Sequence, residues 1–256
     1  MLRVVAIDGP AGSGKTTVAI ALAARLGLES LNTGSMYRAV ALAVLKSGGP
    51  LNDEAFVVSV VRNICIRVEG DLVVVDDVDV TKEIRSAAVS KAVSGVSAVA
   101  GVRTRLVALQ QDWVERRGGG VLEGRDIGTV VFPDAAFKFY LTVHPAEAAR
   151  RRALQENADA DTGVLDDHLA DGSTATRSLE EISADLARRN YVDTNRSVGP
   201  LIDAETASRN ALLIDTTNRT REQVIDFIID HMKSRPAWDA FKDDYLPTKL
   251  PIYEES

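Results

Sequence analysis

Lys15 and Thr16 close the run "GPAGSGKT", Gly9 to Thr16, whose spacing is G-x-x-x-x-G-K-[ST]. Each residue type in that pattern has a chemical task. Gly9, Gly12 and Gly14 permit a turn that aims successive backbone N–H groups at phosphate oxygens, with Pro10, Ala11 and Ser13 between them. Lys15 adds a point charge for β- and γ-phosphates, and Thr16, followed by Thr17, offers a hydroxyl for Mg²⁺. The run predicts a nucleoside triphosphate site, provided that a strand precedes it and a helix follows.

A second stretch poses a question of charge. In "VLEGRDIGTVVFPDA", Val121 to Ala135, an apolar run ends in Glu123, Gly124, Arg125 and Asp126 before apolar residues resume. Charges at the mouth of a buried strand are costly unless paired, so these three are either paired with one another or positioned for a ligand. More arginines stand in short polar motifs at the borders of apolar elements: Arg38 after "NTGSMY", Arg103 in "GVRTRL", Arg189 and Arg196 in "RRNYVDTNRS". Singly each reads as a solvated surface charge. Together they read as a second phosphate site. A GTP switch would need an Asn-Lys-x-Asp segment, and the sequence has none. A motor uses water as acceptor and needs no second set of clamps. A kinase for a small substrate needs both sites, and a lid against water.

The elements that must hold these residues follow from periodicity. "RVVAID" is a short apolar run ending at the glycine turn and predicts a central parallel strand buried on both faces. Val18, Leu22 and Leu26 recur every four residues and predict a helix packed on that sheet. Strand, turn and helix open an α/β fold. A second helix is expected from Gly34 to about Leu45 with Ser35 as its cap. "NICIRVEGDLVVVDDVDVT" predicts a hairpin turning at Gly70-Asp71, with Cys65 as buried filler in its first strand. "KAVSGVSAVAGVRTRLVALQQDWVERR" predicts one or two helices. The parallel-sheet pattern returns at Val121-Leu122 and at "FKFYLTV", followed by a helix from about Pro145. Residues 33–117 thus read as an excursion from the sheet. Six acidic residues and no Lys or Arg lie between Glu156 and Asp171, which predicts a surface loop. A helix from Leu179 to about Tyr191, a strand at "ALLIDTT" and a helix at "REQVIDFIIDHM" complete the core. The tail from Arg235 holds four of the thirteen aromatics and is expected to fold back over an apolar groove; the alternative is a docking segment or linker.

Composition bounds the rest. The chain has 256 residues, 45% hydrophobic and 26% charged, with no apolar run near the ~20 residues a bilayer requires. The N-terminus lacks a signal peptide's features, and one cysteine cannot make an internal disulfide, so a reducing cytoplasmic location is expected. A net charge of -7 argues against a general nucleic-acid binder but not against a small phosphorylated substrate.

From about Val4 to Met232 the sequence resembles the bacterial cytidylate kinases, a branch of the P-loop nucleoside monophosphate kinases. "IDGPAGSGKTT", "NTGSMYRAVAL", "DVTKEIRS", "EGRDIGTVVFPDA" and "DTNRSVGPL" carry the resemblance. It implies a P-loop NTPase parallel sheet flanked by helices over residues 1–234. It also implies an inserted monophosphate-binding subdomain at 33–117 and a lid at 151–178; the 235–256 tail lies outside it. It implies transfer of phosphate from ATP, with Mg²⁺, to CMP or dCMP. Asp126 then accepts from the cytosine amine, while Arg103 and Ser94 read the rest of the base edge. Arg38, Arg125 and Arg196 would clamp phosphate, Arg189 and Asp193 would meet the sugar, and Thr33 joins the CMP set. Glu123 stands where a carboxylate near the Mg²⁺ water shell is expected, or else in an ion pair with a neighbouring Arg. Arg151 and Arg152 are candidates to meet the migrating phosphoryl group with Lys15 and Arg125, and their helical offset predicts that only one points inward. Asn32 departs from the Asp common at that place, and the lid segment is longer and more acidic than the family's. The expected unit is a monomer, bound to neither nucleic acid nor membrane. Two rivals remain: a kinase of UMP/CMP or other small-acceptor specificity, and a non-catalytic regulatory module whose tail docks a partner.

Overall fold

The buried run Arg3–Asp8 forms β1. Its alternation sends Val4 and Ala6 into one hydrophobic layer and Val5 and Ile7 into the other. The computed structural model describes residues 2–161 and 177–243. In chain order, β1 leads through the glycine turn to α1 (Lys15–Leu26), β2 (Ser30–Asn32) and α2 (Thr33–Lys46). Then come α3 (Glu54–Asn63), β3 (Ile66–Glu69), β4 (Leu72–Val75), β5 (Val78–Asp79), a 3₁₀ turn at Glu83–Arg85, α4 (Ala87–Ala98) and α5 (Ala100–Arg117). The chain re-enters the main sheet at β6 (Gly119–Gly124), makes a π-helical turn at Ile127–Val131, and continues through β7 (Phe137–Thr142) and α6 (Pro145–Asp161). After the undescribed residues come α7 (Leu179–Asn195), α8 (Ala204–Ala207), β8 (Leu212–Asp215), α9 (Arg221–Lys233) and α10 (Ala237–Asp243).

The main sheet has the order β2-β6-β1-β7-β8, and every recorded pairing in it is parallel. After β1 the chain goes to one side of the sheet for β2 and later to the other for β7 and β8. The carboxyl ends of β1 and β6 therefore flank a topological switch point, where α/β sheets open a crevice. Register places Asp8 beside Gly124, and Asn32 beside Glu123, along that edge. Segment 33–117 leaves the sheet, covers one of its faces with helices and adds a separate antiparallel sheet, β3-β4-β5.

Several expectations are corrected. Asn32, not Ser35, caps α2: its side-chain oxygen accepts from Ser35 N at 3.1 Å, because Thr33 is already helical. That task suits Asn as well as Asp, since the cap uses an oxygen and not a charge. The hairpin does turn at Gly70-Asp71, but a third strand follows a second turn in which Asp76 and Asp77 hold positive φ. Cys65 is exposed rather than buried; it precedes β3, and its N–H bonds the Asp76 carboxylate at 2.8 Å. The segment expected to form one or two helices forms two, within that expectation, because Val99 is extended between them and they meet at 94°.

The described part of the tail folds back as expected. Phe241 is buried against Phe137, edge to face at 5.2 Å, and Arg3 Nε donates to the Phe241 carbonyl at 2.7 Å. Residues 244–256 lie outside the described residues, as do 162–176 of the predicted lid and most of the predicted acidic loop. Among the described residues no single helix is long and apolar enough to cross a membrane, although the bent α4–α5 pair passes by length and composition.

Candidate active site

The glycine turn is built so that its backbone faces outward. Gly9 has φ 148, and a Cβ there would overlap the Leu141 carbonyl; at Gly12, φ 79, a Cβ would stand 2.7 Å from that of Ala148. Only glycine fits either place. Gly14 begins α1 in the left-handed region with no side-chain cap, so the first N–H groups of the helix are left to a ligand. Ser13 Oγ and Lys15 Nζ both donate to the Pro10 carbonyl, at 3.0 and 2.8 Å, which braces the loop from within. Burial, and then the charge of Arg125, lower the Lys15 amine to about 7. An anion beside it would restore the ammonium form. Thr16 Oγ1 donates to Glu123 Oε1 at 2.6 Å, so the two residues expected at a metal meet.

Arg125 and Asp126 project from the turn after β6. The recorded partner of Arg125 Nε is Asp193 on α7, at 2.9 Å, while Nη1 donates to the Gly9 carbonyl at 2.6 Å. Asp126 is buried and forms a close ion pair with Arg103 of α5; Arg196 lies 3.7 Å from its other oxygen. Burial pushes the Asp126 carboxyl up, and the Arg103 and Arg196 guanidiniums draw it back. Arg125 and Asp126 are thus paired, chiefly with α7 and α5 rather than with each other, while the Glu123 carboxylate meets the Thr16 hydroxyl.

Asp8, which the sequence reading did not single out, sets this turn. Its two oxygens accept from Ile127 N and Gly128 N, both at 2.8 Å. Burial outweighs those bonds and raises its carboxyl to about 6. The residue is contiguous with the phosphate motif, yet its use depends on a turn more than a hundred residues away. Asn190, also missed, accepts from Ala11 N at 3.0 Å and ties α7 to the glycine turn. Ser97 meets Arg196 Nη1 at 3.4 Å, and the Tyr37 ring lies 5.5 Å from the Arg103 guanidinium.

The other expected residues surround the same opening. Arg38 Nη1 donates to the Ile84 carbonyl and to Ser90, at 2.8 and 3.0 Å. Burial, and then the Arg189 charge, push Arg38 below the ordinary guanidinium range. Burial and the Arg125 charge do the same to Arg189, whose buried Nε has no hydrogen-bond partner among the described residues. Thr33 Oγ1 donates to the Glu123 carbonyl at 2.8 Å, and Ser94 and Thr17 line the opening. Contrary to expectation, both Arg151 and Arg152 line it. Adjacent helical side chains achieve this by diverging: Arg151 reaches Thr216, with Nη2 2.6 Å from its carbonyl, and Arg152 pairs with Glu156 at 2.8 Å.

One cleft of about 640 Å³ joins the glycine turn to the Arg125–Asp126 turn. Eight cationic side chains and four carboxylates line it, a local excess of positive charge in a chain of net charge -7. Such a cleft suits a polyphosphate at one end and a second anion at the other. The sequence matches the family model described as cytidylate kinase over residues 5–234. The chain belongs to the cytidylate kinase family. Cytidylate kinase from Mycobacterium leprae is 41% identical over 91% of this chain and 96% of its own. That from Mycolicibacterium paratuberculosis is 43% identical over the same shares. That from Pelotomaculum thermopropionicum is 44% identical over 88% of this chain and 93% of its own. Arg235 and the tail after it lie outside the match to the cytidylate kinase family.

Proposed function

We propose that this chain transfers the γ-phosphoryl group of ATP to CMP or dCMP, giving ADP and CDP or dCDP in pyrimidine nucleotide metabolism. The carrying observation is the buried Asp126, set between Arg103 and Arg196 in the cleft that the phosphate turn also lines. Cytosine presents an N4 amine beside the N3 acceptor, which a carboxylate next to a guanidinium complements. Uracil inverts both groups and would leave buried charges poorly paired. Ser94 lines the same end of the cleft and joins the base edge. Arg38, Arg125 and Arg196 take the acceptor phosphate, while Arg189, Asp193 and Thr33 hold the sugar side. Residues 33–117 then serve as the monophosphate-binding unit.

In the reaction an acceptor phosphate oxygen bonds to the γ-phosphorus as the bond to the β–γ bridging oxygen breaks, and ADP carries away the electron pair. The attacking oxygen is already ionised, so no strong base is required; positioning and charge do the work. Lys15, Arg151 and Arg152 stand where charge builds on the transferred group. Thr16 and Glu123 bring a hydroxyl and a carboxylate together at 2.6 Å, an oxygen-only pair that suits Mg²⁺ alongside phosphate and water oxygens. When bound with ATP, the ion supplies charge neutralisation at the β- and γ-phosphates. The unit we propose is a monomer.

The test is ADP release from ATP–Mg²⁺ with CMP, dCMP, UMP, AMP and GMP offered separately. Turnover with CMP and dCMP well above the others is expected, and Asp126→Asn should abolish that preference while the fold is kept. Equal rates with UMP would remove the base-reading role. Bound ATP without turnover on any acceptor would favour a regulatory module.

A further inference from the structure

The chain turns sharply where β6 ends. After Gly124, which lies in register with Asp8, it runs through Arg125 and Asp126 into the π-helical turn Ile127–Val131. Asp126 stands at the N-cap of that turn, a place where an aspartate ordinarily folds its carboxylate back onto the first free N–H groups. Here its side chain makes no such bond. The N–H groups of Ile127 and Gly128 are taken instead by the two carboxylate oxygens of Asp8, both at 2.8 Å. The Asp126 carboxylate faces Arg103 and Arg196.

We infer that Asp8 is a positioning residue for specificity: by capping the turn from β1, it releases the Asp126 carboxylate for the pyrimidine edge. This rests on the proposed reading of Asp126 as a base reader. Ile127 and Gly128 are both buried, so their N–H groups need an acceptor within the protein. The Asp126 carbonyl already accepts from Val130 N and Val131 N, at 2.9 and 3.3 Å. Its side chain is therefore the group that would turn back if Asp8 were lost. The two carboxylates also repel each other. Burial does most to raise the Asp8 carboxyl, and the Asp126 charge adds to it. An occupied cap thus holds Asp126 off by charge as well as by space. Asp8 acts from inside the sheet, on a strand paired with β6 on one side and β7 on the other. Gly9 grips the same turn separately, its carbonyl accepting from Arg125 Nη1 at 2.6 Å. Removing the Asp8 carboxylate would uncap the turn without releasing it.

The experiment is a double-mutant cycle on kcat/KM for CMP and UMP, in the wild type, Asp8→Ala, Asp126→Asn and the double variant. Asp8→Ala is expected to lower the CMP-to-UMP ratio at least about fivefold, mainly through a higher KM for CMP. In the Asp126→Asn background the same change should alter the ratio less than about twofold, because the carboxylate it positions is gone. A purely structural Asp8 would lower the rates with CMP and UMP alike. A wild-type ratio in Asp8→Ala, or an equal fall in both backgrounds, would therefore overturn its role. A wild-type ratio in Asp126→Asn would instead overturn the base-reading assignment on which that role rests. Should Asp8→Ala not fold, Asp8→Asn keeps the size and one acceptor oxygen, while its amide group faces the second N–H. A ratio lowered about twofold or more in that variant would support the cap, and a wild-type ratio would overturn it.

Discussion

Lys15 occupies a place where its own charge is costly. With its amine near 7, it is mostly neutral at pH 8 in the free protein. Polyphosphate oxygens beside it would raise that value above 8, so the amine gains a proton when ATP binds. Titration calorimetry at pH 8 in two buffers of different ionisation enthalpy should therefore show proton uptake, falling as the pH is lowered through 7. The same uptake in Lys15→Met would assign the proton to another group and sink this account. Asp126 shows the opposite balance: burial opposes its charge, and two guanidiniums make that charge tolerable. In both cases the residue type was evident from the motif, whereas the cost of its charge depends on what surrounds it.

At the scale of elements, α7 joins the two ends of the cleft. Arg189 and Asp193 stand one turn apart on α7 and so share a face, and with Arg196, which caps the helix end, they line the cleft. Asn190, one step round the helix, reaches the opposite end and holds Ala11 N. Losing that bond should loosen the phosphate turn without touching the acceptor residues. Asn190→Ala is expected to raise KM for ATP about three- to tenfold, equivalent to roughly one neutral hydrogen bond, with KM for CMP little changed. Steady-state kinetics varying each substrate in turn would decide it; an unaltered KM for ATP would reduce Asn190 to a surface residue. The β6–turn element works in a similar way, since Asp8 grips the turn by Ile127 N and Gly128 N and so sets where Asp126 points.

At the scale of the whole molecule, the first strand and the last described helix hold each other. α10 lays Phe241 on Phe137 of β7, and Arg3 of β1 both donates to the Phe241 carbonyl and stacks on its ring, 5.0 Å from the centroid. This contact lies in the same hydrophobic layer as α1 and α9, away from the acceptor helices. Phe241→Ala should cost about 3–5 kcal/mol of stability, as other buried aromatic truncations do. In a chain of this size that is a melting point lower by roughly 6–20 °C. Activity measured well below the transition should persist. A melting shift of only a degree or two would mean that the tail contributes little to the fold.

The sequence by itself determined the local units. "GPAGSGKT" between a buried run and a four-residue apolar repeat fixed strand, phosphate turn and helix, because glycine geometry, one lysine charge and helical periodicity act over a few residues. The arginines proposed for the acceptor and Asp126 were legible as a group through their motifs, and all of them line or underlie one cleft. The choice between Asn32 and Ser35 as cap was not legible, since both are good capping residues and only the onset of helix at Thr33 decides. The exposure of Cys65 depends on where β3 begins, which strand pairing decides. Only the tertiary structure could pair Arg103 with Asp126 and Arg125 with Asp193, or bring Asp8 and Asn190 into the site. Their partners lie some 20 to 180 residues away or more than one element apart, beyond the reach of any periodicity. Burial then sets the charge balance, because desolvation is a property of the surroundings and not of the residue.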